Sequence, residues 1–106
     1  MLVNHKSAKT TIPFTGITRR ILANSREVML TEHELDKGAI LPEHKHPHQQ
    51  LVYLLSGELL LEMSGKQYLM SEGDSIVIPS DAPHKATANK KCRVLDIFAP
   101  AREDYL

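Results

Sequence analysis

Residues 49–66 of the chain read QQLVYLLSGELLLEMSGK, and this stretch decides the fold class. It contains two short apolar runs, each followed by a Ser-Gly pair, first at 56–57 and again at 64–65. Glycine adopts the positive φ that tight hairpin turns require. The stretch therefore predicts two short strands, each ending at a tight hairpin turn.

Similar apolar runs, separated by turn residues, continue on both sides of this stretch. They predict strands over residues 17–22, 27–35, 49–55, 58–63, 67–70, 75–78 and 93–98. Seven or more short strands without a long helical segment are typical of an all-β sandwich or barrel. A chain of 106 residues has the size of one domain. We expect residues 1–13 to form a loose arm or an edge strand, residues 17–98 the barrel and residues 99–106 a C-terminal tail.

The composition argues against several classes of partner. Thirteen basic residues balance thirteen acidic ones, so the chain lacks the net basic charge of a nucleic-acid binder. No apolar run approaches the roughly 18 residues of a membrane span, and no signal-peptide pattern is present. Cys92 is the only cysteine, so no internal disulfide forms. We therefore expect a cytoplasmic protein that binds neither nucleic acid nor a membrane.

The candidate functional residues are concentrated in residues 38–50, GAILPEHKHPHQQ. His44, His46 and His48 alternate along this segment, so on an extended chain their side chains project to one side. Gln50 continues the same alternation. Imidazole groups held close together bind zinc, nickel, iron, manganese or copper. The alternative is a polar strand face without a ligand, since a histidine-rich pattern is a compositional signal only.

The spacing of these residues resembles the first sequence motif of the cupin superfamily, G-x5-H-x-H-x3,4-E-x6-G. The chain matches this motif from Gly38 to Gly57, except that Gln50 stands where most cupins have glutamate. The second cupin motif is G-x5-P-x-G-x2-H-x3-N. Residues 73–88 match it less closely, because its second glycine and its asparagine are replaced, and they include His84.

The resemblance implies a single-domain cupin, in which a double-stranded β-helix, or jelly-roll barrel, closes around one divalent metal. It implies that this ion is nickel, zinc, manganese or iron, bound by His44, His46, Gln50 and His84. We expect one strand to carry the first three ligands and a facing strand to carry the fourth. A metal held by distant segments stabilises the fold if it binds only the native state.

The replacement of glutamate by Gln50 bears on the chemistry of the site. Three neutral histidines and an amide leave a divalent ion with its full charge of about +2. Such a site attracts an anionic substrate, for instance a carboxylate, and polarises its oxygens as a Lewis acid. The ligand set therefore favours non-redox chemistry.

Asp96 lies between Val94 and Phe98 on one face of the last predicted strand. An acid is costly to bury alone, so this face predicts a wet cavity or a partner for Asp96. Of the remaining histidines, His48 is either a pocket residue or a solvent-facing one. His5 and His33 are predicted to be surface or packing residues.

A closer resemblance covers nearly the whole chain after the N-terminal arm. Its strongest segments are HKHPHQQ at 44–50, YLLSG at 53–57 and DIFAPAREDYL at 96–106. Together with residues 16–22 and 37–40, they resemble the pectin-degradation protein KdgF family. That family opens the ring of 4,5-unsaturated uronates from pectin or alginate and produces linear 5-keto-4-deoxyuronate. The resemblance implies a metal-dependent lyase or isomerase that takes a small anionic sugar.

The same resemblance assigns roles to individual side chains. It implies that Asp96 and Arg102 are the catalytic pair and that Phe98 lines the substrate pocket. Asp96 would act as general acid and base, and Arg102 would clamp the substrate carboxylate or stabilise developing charge. The alternative for these two residues is a structural ion pair near the C-terminus.

Two other functions remain open. The chain could be another small metal-binding cupin enzyme, such as a dioxygenase or a sugar isomerase, or a non-catalytic ligand-binding module. We also expect a homodimer. The apolar runs over residues 51–54 and 59–61 leave outward-facing apolar side chains that a second copy would cover.

Overall fold

The computed structural model describes residues 1–106 as ten β-strands with one turn of 3-10 helix near each end. The strands are β1 (Thr10–Phe14), β2 (Ile17–Asn24), β3 (Met29–Leu35), β4 (Ile40–His44), β5 (Gln49–Ser56), β6 (Glu58–Met63), β7 (Lys66–Ser71), β8 (Ser75–Ile78), β9 (His84–Ala88) and β10 (Cys92–Ala99). The helical turns span His5–Ser7 and Glu103–Tyr105. Neither is long or apolar enough to cross a membrane.

The strands form two antiparallel sheets that enclose the larger of two apolar core clusters. The larger sheet has the strand order β1-β2-β3-β10-β5-β8, and the smaller has the order β4-β9-β6-β7. Strands distant in sequence are neighbours, as where β10 lies between β3 and β5. This arrangement confirms the predicted all-β jelly-roll barrel.

The predicted apolar runs all coincide with strands, and β6 and β8 have the predicted limits. Two further strands, β4 and β9, are absent from the prediction. Their sequences, ILPEH and HKATA, lack a run of large alternating apolar residues. These two strands carry histidines at the site end of the barrel, so apolar periodicity misses the elements that matter most for function.

The two predicted hairpin turns have different outcomes. The turn at Ser64 and Gly65 joins β6 to β7, which pair directly, so this hairpin is confirmed. The hairpin at Gly57 is wrong, because β5 belongs to the larger sheet and β6 to the smaller one. Gly57 has φ +97°, and a Cβ there would collide with the backbone carbonyl of Lys91. Glycine is therefore required where the chain crosses from one sheet to the other, because the backbone there packs directly against the backbone at Lys91.

Burial alternates along β5 and β10, so one face of each strand points into the barrel. The inward positions in the middle of the barrel are apolar and include Val52, Leu54 and Val94. Towards one end the same faces carry Gln50 and Asp96, both buried. Buried polar groups need hydrogen-bond partners, so this end of the barrel is the natural place for a site.

Exposed apolar side chains lie on the outer face of the larger sheet. Leu51 and Tyr53 are 46% and 44% exposed, so the outward-facing residues predicted for β5 are confirmed. In β6, by contrast, Leu59 and Leu61 point into the core, and only Leu60 lies on the outer face.

Candidate functional site

Three histidine side chains meet at one end of the barrel. His44 ends β4 and His84 begins β9, and the two are cross-strand partners in the smaller sheet. His46 lies in the connection between β4 and β5. One ring nitrogen from each of the three histidines lies within 4.8 Å of the others. The expectation that one strand carries the first three candidates is wrong, since the chain changes sheets after His44.

The backbone sets the proton position on all three rings. Each Nδ1 is hydrogen-bonded to a main-chain carbonyl two residues away. The three bonds are His44 to Pro42 (2.9 Å), His46 to His48 (3.1 Å) and His84 to Ala82 (2.8 Å). A carbonyl only accepts, so each ring carries its proton on Nδ1 and leaves the lone pair of Nε2 free. This is the tautomer a metal ligand needs, and the Nε2 of His84 is buried without any partner.

The burial of these rings also favours metal binding. Desolvation, together with the nearby charge of Arg102, lowers the pKa of His46 from 6.5 to about 4. Burial lowers the pKa of His84 as well. Both rings are neutral at neutral pH, so a divalent ion would displace no proton from either of them. Three such nitrogens in one cluster fit a transition metal.

Gln50 reaches the cluster from the opposite sheet and joins it to Asp96. Its Oε1 lies 3.0 Å from Nε2 of His46, and its Nε2 donates to Oδ1 of Asp96 at 2.8 Å. A carboxylate accepts and does not donate, so the amide nitrogen must face Asp96 and the amide oxygen must face the histidines. Glutamate would instead set two carboxylates against each other. The amide nitrogen therefore suits Asp96, whereas the amide oxygen and the Nε2 lone pair of His46 are both acceptors and would suit a shared cation.

Asp96 is buried and bonded through both of its oxygens. Besides the amide of Gln50, it receives a bond from Nδ1 of His33, which lies 2.7 Å from Oδ2. The Nε of Arg19 donates to Nε2 of the same histidine at 3.1 Å. The prediction that Asp96 has partners is confirmed. The prediction that His33 is a surface or packing residue is wrong, because β3 turns this ring into the barrel.

Arg102 lies just beyond β10 and is only 8% exposed. Its Nε and Nη2 bind the two carboxylate oxygens of Asp104 at 3.0 and 2.8 Å. Its guanidinium carbon stands 4.3 Å from the centroid of the Tyr105 ring, and its Nη1 is buried without a partner. No ion pair joins Arg102 to Asp96, so the alternative of a structural ion pair between them is wrong.

Phe98 and His48 occupy different positions around the cluster. The buried Phe98 ring packs edge-on against His46 and against Tyr105, with both centroid distances 5.7 Å. It lines the central cavity. The ring of His48 is half-buried, 5.4 Å from that of His46, and lies outside the cavity lining. The main-chain carbonyl of His48 is its direct contact with the cluster.

A cavity of about 50 Å³ lies inside the barrel beside the cluster, and a groove of about 350 Å³ lies at the barrel mouth. Leu41, His44 and Tyr105 line both spaces. The groove is also lined by Arg19 and Arg102. Burial raises the pKa of Tyr105, so its hydroxyl is neutral at neutral pH, and the guanidinium groups of both arginines lie against its ring. The groove rather than the cavity has room for a monosaccharide.

Three side chains of this site were missed from the sequence, namely Arg19, His33 and Tyr105. A signal for two of them was present. Arg19 lies on the same face of its strand as Ile17 and Ile21. The alternation rule that identified Asp96 as inward-facing would therefore have placed Arg19 inside the barrel. His33 follows the same rule on β3. Tyr105 lies in the tail, where no periodicity applies.

Known proteins resemble this chain in sequence and in fold. The family model described as the cupin domain matches residues 31–98. A two-sheet barrel with clustered histidines is the fold and site of this class. The chain is also 31% identical over 93 residues to the pectin degradation protein KdgF of Dickeya dadantii (strain 3937). That alignment covers 86% of this chain and 84% of the relative.

Solved structures agree with the sequence comparison. KdgF from Halomonas sp. has a TM-score of 0.93 and 30% identity, with 100% of both chains covered. An RmlC-like cupin from Shewanella frigidimarina NCIMB 400 has a TM-score of 0.93 and 28% identity, covering 99% of this chain and 95% of that one. The chain belongs to the cupin superfamily and, within it, to the KdgF-like family.

Proposed function

We propose that this protein is a metal-dependent enzyme that opens the ring of 4,5-unsaturated uronates derived from pectin or alginate. The product is the linear 5-keto-4-deoxyuronate. Kinship with proteins named for pectin degradation supports a substrate of this class. The observation that carries the proposal is the Gln50 amide, which links the histidine cluster to the buried carboxylate of Asp96.

The neutral donor set suits an acidic sugar. Nε2 of His44, His46 and His84, with Oε1 of Gln50, would hold one divalent ion such as nickel, zinc, manganese or iron. When bound, such an ion supplies Lewis acidity and an uncompensated positive charge. None of the four side chains neutralises that charge, so the carboxylate of a uronate is a favoured ligand of the site.

Ring opening requires two proton transfers and no oxidant. The C4=C5 electron pair of the enol ether takes a proton at C4. The C1–O5 bond breaks, and its electron pair forms the C5 carbonyl. The anomeric hydroxyl loses its proton, and that O–H pair forms the C1 aldehyde. Asp96 is the buried acid beside the cavity, and we assign it as the general acid and base that exchanges these protons.

Arg102 offers an unused donor to the substrate. Its bidentate bond to Asp104 fixes the plane of the guanidinium group, and Nη1 remains buried without an acceptor. A buried donor without a partner costs free energy, which a bound anion would recover. We assign Arg102 to the substrate carboxylate or to the oxygen on which charge develops.

An absorbance assay tests the proposal. Unsaturated galacturonate or the alginate-derived monomer is supplied, and loss of the conjugated enol-carboxylate absorbance is followed with and without a chelator. We expect the metal-loaded protein to accelerate the decay and the chelator to abolish the acceleration. Asp96→Ala and Arg102→Ala should remain folded and metal-loaded but lose about 100-fold or more in rate. Asp36→Asn, at an exposed acid, is the control.

The assay also separates the rival functions. Decay no faster than the spontaneous reaction, with metal bound, would overturn the proposal. Consumption of oxygen by an iron-loaded sample would instead favour a dioxygenase. Binding of the uronate without turnover would favour a ligand-binding module.

We further propose that the protein is a homodimer formed through the outer face of the larger sheet. Ile97, Leu51 and Val77 are neighbours in register across β10, β5 and β8, and each is at least 38% exposed. Tyr53 extends this apolar row, and no charged side chain interrupts the four. A second copy related by a two-fold axis offers the same apolar row and fits it directly.

Light scattering after size-exclusion chromatography tests the dimer. We expect a dimeric mass for the wild type and a monomeric mass for Leu51→Glu, because the charge would be buried at the contact. Leu69→Glu, at an exposed leucine of the smaller sheet, should leave the dimer intact. A monomeric wild type, or a dimeric Leu51→Glu variant, contradicts this interface.

A further inference from the structure

We infer that Arg19 is a positioning residue of this site, because it keeps His33 neutral and thereby keeps Asp96 out of a buried ion pair. The inference rests on the proposed function, in which Asp96 exchanges protons with the substrate. It concerns inward-facing side chains on three adjacent strands, β2, β3 and β10. Neither Arg19 nor His33 belongs to the histidine cluster.

Hydrogen-bond polarity decides where the proton of His33 lies. Arg19 donates from Nε to Nε2 of His33 at 3.1 Å, and a guanidinium group has no acceptor. Nε2 must therefore present a lone pair, and the ring carries its proton on Nδ1. That Nδ1 donates to Oδ2 of Asp96 at 2.7 Å. The two hydrogen bonds therefore run in one direction, with Arg19 donating to His33 and His33 donating to Asp96.

The direction matters because His33 stands beside a buried acid. A second proton on His33 would create an imidazolium against the carboxylate of Asp96. Charges in contact inside a protein interact strongly, and an opposite charge holds a carboxylate in its ionised form. The 2.7 Å contact between the two side chains would then be a buried ion pair rather than a neutral hydrogen bond. A proton on Nε2 of His33 would point directly at the N–H of Arg19, so Arg19 excludes that state.

Arg19 is placed for this role rather than for an ion pair of its own. It is the cross-strand partner of His33 in the β2–β3 register. Its guanidinium carbon lies 3.7 Å from the centroid of the Tyr105 ring, which holds the group by a cation–π contact. None of the close contacts between basic and acidic side chains in the molecule includes Arg19. Its specific polar contact is the bond to His33.

Nitrogen-15 NMR of the histidine side chains tests the protonation state without any substrate. In the metal-free protein at neutral pH, we expect His33 to be neutral with its proton on Nδ1. In Arg19→Met, we expect the imidazolium form. Arg20→Met is the matched control, because Arg20 follows on β2 but binds Glu32 on the outer face. An imidazolium or an Nε2–H tautomer in the wild type would overturn the inference.

Turnover tests the consequence for Asp96. We expect Arg19→Met to lower kcat by about tenfold, with a smaller change in KM. His33→Asn retains an N–H donor near the position of Nδ1 but takes up no proton, so adding Arg19→Met to this variant should change kcat far less than adding it to the wild type. The double variant Arg19→Met/His33→Asn should recover the kcat of His33→Asn. A purely structural role for Arg19 would not be rescued in this way.

The two readouts keep the inference separate from the proposed function. If Arg19→Met slows the His33→Asn variant by as much as it slows the wild type, the positioning role is overturned even though the enzyme is active. If the wild type leaves uronates unchanged, the proposed function fails, and the NMR comparison of wild type with Arg19→Met still decides the state of His33.

Discussion

At the scale of single residues, Gln50 has two different ends that face two different neighbours. Its carbonyl oxygen faces the histidine nitrogens, and its amide nitrogen donates to Asp96. In the sequence, this residue is a departure from the cupin motif. The structure explains this departure by the neighbouring Asp96, because an acid at position 50 would repel the acid at position 96.

We predict that Gln50→Glu lowers the uronate ring-opening rate by about tenfold or more. The new carboxylate has no hydrogen to donate to Asp96 and sets a like charge at the position of the present 2.8 Å bond. Initial rates at saturating metal, with metal content measured in parallel, check this. Gln49→Glu adds the same charge at the exposed neighbouring position and should keep the wild-type rate. A fully active, metal-loaded Gln50→Glu variant contradicts the prediction.

His46 predicts how the stability of the metal-free protein depends on pH. Its pKa is lowered by burial from 6.5 to about 4, so between these values the unfolded chain binds more protons than the folded one. Stability is therefore full above about pH 6.5 and falls as the pH drops towards about 4, by an amount on the order of 1–3 kcal/mol. Urea unfolding at a series of pH values, with a chelator present, measures this loss.

His46→Gln is the control for that series. A glutamine side chain does not titrate, so this variant should lose less stability between pH 7 and pH 5 than the wild type. Identical pH profiles for the two proteins would mean that His46 is not the group responsible.

At the scale of elements, the chain changes sheets at two places that matter for the site. One is the crossing at Gly57, and the other is the connection from β4 to β5 that contains His46. The second crossing delivers His44 to the smaller sheet and Gln50 to the larger one. The ligand candidates are thereby brought together from both sides of the barrel, although they are close in sequence.

We predict that Gly57→Ala lowers the free energy of unfolding by about 2–4 kcal/mol. The methyl group would be strained at φ +97° and would collide with the main chain at Lys91. Gly65→Ala is the matched control, because Gly65 has φ +80° and no atom lies within 4 Å of the place that its methyl group would occupy. It should cost only the strain of about 1–2 kcal/mol. Denaturant unfolding compares the two, and equal losses would contradict a role for the close approach.

At the scale of the whole molecule, the site joins the two sheets. His44 and His84 belong to the smaller sheet, Gln50 and Asp96 to the larger one. The apolar core holds these sheets together in the middle of the barrel, whereas polar side chains fill its open end. An ion bound there would add a connection that only the folded state has.

We predict that a divalent transition metal raises the unfolding temperature. An ion at 100 times its dissociation constant that binds only the folded state adds about 2.7 kcal/mol of stability. Thermal unfolding with nickel, zinc, manganese or iron, compared with chelator, measures the shift. His84→Ala should lose most of it, whereas the exposed His5→Ala should keep it. The absence of any shift in the wild type with all four metals contradicts the proposed site.

The sequence alone determined the all-β class, the segment that carries most of the candidate ligands, and the choice for Asp96 between a wet cavity and a partner. These follow from local rules, namely the period of two along a strand and the spacing of glycines and histidines. Only the tertiary structure decided that Gly57 crosses between sheets, that β4 and β9 exist, and that Arg19 and His33 stand behind Asp96. Which strands become neighbours depends on long-range pairing, and the partner of a buried polar atom depends on those neighbours.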